Sequence, residues 1–116
     1  MLDTSAFIMG FNPSASAEAY TVEEVENELL TGTMAHLRFR LSREKGNLTV
    51  QPASERSRET VDLASKQLGE KGVLSKADRE VVALALDLKQ SSLDPVIVSD
   101  DYVVQNLAEH LQLRYG

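Results

Sequence analysis

The chain has 116 residues, enough for one domain with a single core, and 42% of them are hydrophobic, which excludes a disordered tail. Only 5% are aromatic, and 12 basic against 18 acidic residues leave a net charge of −6, so neither base-stacking platforms nor charge-driven nucleic-acid binding is expected. No cysteine is present, which removes disulfides, zinc ribbons and thiol nucleophiles from consideration.

In chain order, "ML" (1–2) is expected to be the last stub of a strand and is followed by Asp3. Val22, Val25 and Leu29 keep the i, i+3, i+7 spacing of a helix. The segment "HLRFRLSREK" (36–45) is the one basic cluster, and if helical it sets Arg40 and Arg43 on neighbouring turns. Gly46-Asn47 ends it, and "LTVQ" (48–51) reads as a short β-branched strand. Val61, Ala64 and Leu68 repeat the helical spacing, while "VVALALDL" (81–88) is apolar nearly all round and so predicts a centrally buried helix. "VIV" (96–98) is a second β-branched strand, Val104 to Leu111 an amphipathic helix, and "LQLRY" (111–115) holds room for a last strand. The alternation predicts an α/β sandwich with a parallel sheet, in which ligands gather outside the carboxyl ends of the strands. No basic n-region precedes an apolar stretch, and the longest apolar run is too short to span a bilayer, so a soluble, cytoplasmic protein is expected.

Acidic residues fall where strands end or helices begin: Asp3, Asp78 and the pair Asp100-Asp101. Each has a structural explanation. "SKAD" has capping-box spacing with Ser75 as N-cap, and Ser99 or Asp100 could cap the helix near Tyr102. Asp3 suits a turn after a strand. Glu28 and Glu26 lie equally close to the apolar stripe of their helix, and spacing does not choose between them. Together the acids weigh more. If three or four shared one sheet edge, each like pair at about 5 Å and an effective dielectric of about 20 would repel by about 3 kcal/mol. A hard cation such as Mg²⁺ or Mn²⁺ removes that penalty and activates water for attack on a phosphodiester. Other chemistries lack their frames: His36 and His110 have no metal-ligand spacing and are expected at the surface. No nucleophile elbow surrounds Ser5, and no Gly-rich phosphate loop occurs.

With "LDTSAF" (2–7), "YTVEEVENEL" (20–29), "LSKADREVVALAL" (74–86) and "SDDYVVQNLA" (99–108), the chain resembles the PIN-domain nucleases, and most of all the archaeal Nin-one-binding (Nob) branch that matures the 3′ end of small-subunit ribosomal RNA. The resemblance implies a PIN-like three-layer sandwich over residues 1–116, with a central parallel sheet flanked by helices. It also implies Mg²⁺- or Mn²⁺-dependent cutting of single-stranded RNA, with pre-ribosomal RNA as substrate and no membrane role; a homodimer is compatible with it. Its acids carry over to Asp3, Glu28, Asp78 and Asp101, with Asp100 as a further ligand or helix cap. Ser5 and Ser99 are expected to orient the carboxylates, and Arg40 and Arg43 to contact phosphates. The branch usually adds a zinc ribbon, which a chain without cysteine does not carry, and the first strand and C-terminal end are expected to be cut short. A VapC-type toxin and a catalytically silent PIN module are the alternatives.

Overall fold

In a computed structural model, the structure describes residues 19–69 and 74–116. The expected stub strand at 1–2, with Asp3 and Ser5, lies outside them. The described chain runs β1 (Ala19–Thr21), α1 (Glu23–Glu28), α2 (Met34–Glu44), β2 (Leu48–Val50), α3 (Glu55–Gln67), α4 (Lys76–Gln90), β3 (Val96–Ile97), α5 (Tyr102–His110) and β4 (Arg114–Tyr115). The expected α/β class is borne out. Strand β1, whose Ala-Tyr-Thr gives no alternation long enough to read, was not anticipated.

The described strands form two parallel ladders, β1 with β2 (Ala19 opposite Leu48, Thr21 opposite Val50) and β3 with β4 (Val96 opposite Arg114). Each ladder gains one more bond past its end, from Gln51 N–H to the Thr21 carbonyl (3.1 Å) and from Gly116 N–H to the Ile97 carbonyl (3.0 Å). Parallel neighbours need crossovers, and helices supply both. The pair α1–α2 joins β1 to β2, and α5 joins β3 to β4.

Helix α4 is the hub. Residues 81–86 are buried on every side, and α1, α3, α5 and β3 all pack on this helix. A helix surrounded by partners has no wet face, which is why "VVALAL" carries no amphipathic period. Burying one side chain of the size of Leu84 contributes about 2 kcal/mol. The ends are set locally. Ser54 and Ser75 cap α3 and α4 by accepting the N–H groups of Ser57 and Asp78. Helix α2 ends in a Schellman motif: Gly46 turns to φ 77°, and Asn47 N–H reaches the Ser42 carbonyl at 2.9 Å. The short turn at 91–95 then sends the chain from α4 into β3, against which α4 packs.

Candidate functional site

Two of the expected acids stand at helix starts. Asp78 lies in the first turn of α4, half-buried, and its backbone N–H donates to the Ser75 hydroxyl at 3.1 Å. The helix start read from "SKAD" is therefore correct on its serine side. A carboxylate in that first turn also meets the partial positive charge of the unpaired N–H groups.

The "VSDD" corner after β3 is more tightly tied than its sequence indicates. Buried Ser99 accepts the Asp101 N–H on its hydroxyl at 3.0 Å, and its carbonyl accepts the Gln105 side-chain amide at 2.9 Å. Asp101 Oδ1 in turn accepts the Val103 N–H at 2.9 Å. Asp101 is thus the N-cap of α5. This corrects the expectation of Ser99 or Asp100 in that role: α5 begins at Tyr102, so only residue 101 stands at its threshold. Ser99 acts one step back, on the backbone that carries Asp101, and Asp100 is exposed beside it. Gln105, one turn into the helix, lies in the "SDDYVVQNLA" block, but its tie to the Ser99 carbonyl was not anticipated.

Glu28 is the last residue of α1 and is exposed. Glu26 is engaged elsewhere, with Arg43 Nη1 at 3.5 Å and His36 Nε2 at 3.7 Å. Those contacts tie α1 to α2, and they place His36 in a largely covered position rather than at the open surface where it was expected. Arg40 and Arg43 do border one shallow depression, but Glu26 and Glu44 line it too. The local charge there is mixed, and an ion pair this exposed contributes about 0–1 kcal/mol.

Among the described residues, no three His, Asp or Glu side chains stand together in a group able to hold a metal ion. Glu28, Asp78 and Asp101 by themselves do not make such a group, and Asp3, the remaining member of the expected set, lies outside the described residues.

Two further acids were not anticipated. Glu80 is buried on α4; its Oε1 accepts Arg58 Nε at 2.6 Å, while Oε2 lies 3.8 Å from Arg79 Nε. Neither Oε2 nor Arg79 Nε has a hydrogen-bond partner among the described residues, although both are buried. The hydrogen bond and the charge of Glu80 raise the Arg58 pKa above its ordinary value. The signal was present: in a helix that is apolar all round, a Glu directly before Val81 has no wet face to occupy. Asp87, three turns along α4, accepts the Ser54 N–H (2.6 Å), the Ser54 hydroxyl (2.7 Å) and the Ser57 hydroxyl (2.6 Å). It anchors the start of α3 to α4.

Several known proteins are similar to this chain in sequence. The family model described as "PIN domain of ribonuclease" matches residues 1–88. Ribonuclease VapC3 of Aeropyrum pernix is 35% identical over 113 residues, covering 97% of this chain and 81% of that protein. Endoribonuclease Nob1 of Pyrococcus abyssi is 36% identical over 115 residues, covering 99% of this chain and 65% of that protein. Its namesake from Methanothermobacter thermautotrophicus is 32% identical over 115 residues, 99% of this chain and 66% of that protein. This chain therefore spans just under two thirds of the length of these two Nob1 relatives. With the model matched over most of its length, the chain belongs to the family of PIN domains of ribonucleases.

Proposed function

We propose that this domain is an endoribonuclease that cuts single-stranded RNA with the help of Mg²⁺ or Mn²⁺. Asp3, Glu28, Asp78 and Asp101 would hold the ion, with Asp100 as a further oxygen donor. The observation that carries the reading is that Asp78 and Asp101 stand at the starts of α4 and α5, the helices that precede and follow β3 in the chain. Ser75 and Ser99 hold their backbone N–H groups, and the Asp101 carboxylate is further oriented by the Val103 N–H. Carboxylate oxygens are the donors that hard divalent cations take. When bound, such an ion lowers the pKa of water and offsets charge on the leaving oxygen of a phosphodiester.

The similarity to two endoribonucleases named Nob1 supports a role in maturing the 3′ end of small-subunit ribosomal RNA. The similarity to a ribonuclease named VapC3, over a larger share of that protein, supports a toxin ribonuclease as the second reading. Arg40, on the exposed face of α2, would contact the RNA backbone in either case.

Purified protein is expected to nick unstructured RNA with Mn²⁺ or Mg²⁺, to leave duplex RNA intact, and to stop in EDTA. A precursor spanning the small-subunit 3′ end should be cut at one position, whereas a toxin would prefer transfer or messenger RNA. Cutting that continues undiminished in EDTA would overturn the metal reading.

A further inference from the structure

We propose that Gln105 is a positioning residue for the Asp101 carboxylate, a role that rests on the nuclease reading above. Ser99, Asp100 and Asp101 lie between β3 and α5 and belong to neither element. Gln105 holds this stretch at both ends. Its side-chain amide donates to the Ser99 carbonyl at 2.9 Å, and its backbone N–H donates to the Asp101 carbonyl at 3.1 Å. Inside that grip, the Ser99 hydroxyl accepts the Asp101 N–H at 3.0 Å, and Asp101 Oδ1 accepts the Val103 N–H at 2.9 Å. The peptide groups on both sides of Asp101 are therefore bonded, and so is one oxygen of its carboxylate.

Capping does not account for the side-chain bond. A cap satisfies the first N–H groups of a helix, and Asp101 already does so for Val103. The Gln105 amide bonds instead to a carbonyl that precedes the cap, outside α5, and so adds nothing to the start of the helix. Nor does Gln105 belong to the core. The buried residues of α5 are Val104, Leu107 and Ala108, and Gln105 is half-buried beside them. What the bond fixes is the Ser99 peptide, and with it the direction in which Asp100 and Asp101 leave β3. A neutral amide suits that task, because it donates to a carbonyl without bringing a charge that would pair with the two acids. Without it, the carbonyl of a buried residue loses its donor and the peptide must turn to find another. A shift of about 1 Å in a reacting group is enough to cost about a hundredfold in rate.

Gln105→Met and Gln105→Ala remove the donor and keep high helix propensity, so α5 should still form. Both are expected to cut unstructured RNA with kcat lowered about tenfold or more, and with KM within about twofold of the parent. Hydrogen exchange gives a readout that does not depend on cutting. The amides of Asp101 and Val103 should exchange about tenfold faster than in the parent, with a smaller change at residues 81–86 of α4. Asp87→Ala is the destabilised control: it should melt lower and keep the parent kcat. Parent kcat in both Gln105 variants, or parent exchange at Asp101 and Val103, would overturn the proposal and leave the nuclease reading standing. An equal loss of kcat in Asp87→Ala would overturn it too, since general stability would then explain the effect. A parent protein that cuts no RNA would overturn both readings.

Discussion

Asp78→Asn is expected to reduce RNA cutting at least a hundredfold, with the domain still folded. At about 1.4 kcal/mol per decade, that corresponds to about 2.7 kcal/mol of lost transition-state stabilisation, the scale expected when an oxygen donor to a divalent ion is neutralised. The fold should tolerate the change. The contact that starts α4 runs from the Asp78 backbone N–H to the Ser75 hydroxyl, and the asparagine keeps that N–H. What is lost locally is the attraction between a carboxylate and the helix N-terminus, about 0.3–1 kcal/mol. Ser75→Ala is the converse change: it removes the cap, costs about 1 kcal/mol of stability and leaves the carboxylate in place. A large effect on cutting with little on melting for Asp78→Asn, and the reverse for Ser75→Ala, is the expected pattern. Undiminished cutting by Asp78→Asn would contradict it.

Asp87→Ala is expected to cost about 2–3 kcal/mol of stability without touching the proposed chemistry. Hydrogen bonds to a charged group contribute about 1.5–3 kcal/mol each in covered positions. Here two serine hydroxyls and a backbone N–H lose one acceptor together, although water reaches part of the site. For a domain of this size the loss corresponds to a melting point lower by about 10 °C. Burial alone would raise the Asp87 pKa, but the hydrogen bonds from Ser57 and Ser54, with Arg58 nearby, outweigh it and leave the group below the ordinary aspartate value. A carboxylate whose folded-state pKa is depressed contributes stability that is present above its unfolded value near 3.9 and is lost as pH falls through the folded value. Parent protein should therefore lose stability steeply below about pH 4, and Asp87→Ala should show a shallower slope there. Identical acid slopes would show that Asp87 is not the group responsible.

Much of the scaffold could be read from local pattern. "VVALAL" announced the buried hub because a helix contacted on every side needs no polar stripe, and Ser75 announced the start of α4 because its spacing to Asp78 is local. β1 stayed hidden. Three residues are too few for a period, and the strand exists through its pairing with residues 48–50, a contact made across α1 and α2. Of the candidate site, the placing of Asp78 and Asp101 beside helix starts was legible from residue type and order. Sequence spacing could not tell Glu26 from Glu28, since what separates them is the tie of Glu26 to Arg43 and His36 on another helix. Nor could it assign the cap of α5 among Ser99, Asp100 and Asp101, a choice that rests on the residue at which the helix begins. The anchors at Glu80 and Asp87 were missed for the same reason. Their partners Arg58, Ser54 and Ser57 are more than twenty residues away, on α3 or at its cap.

Thermal melting of the parent and of Asp101→Asn, each in EDTA and in Mn²⁺, tests most directly whether these carboxylates hold a cation. Asparagine caps a helix about as well as aspartate does, so the bond from the Val103 N–H is kept and the metal-free melting point should not fall. Relief of repulsion among the acids would raise it. Mn²⁺ at about a hundred times its dissociation constant should stabilise the parent by about 2.7 kcal/mol, near 10 °C, and Asp101→Asn should lose most of that gain. A metal site predicts this asymmetry. Melting points of both proteins that ignore Mn²⁺, or that rise equally with it, would show that Asp101 caps α5 and does nothing more.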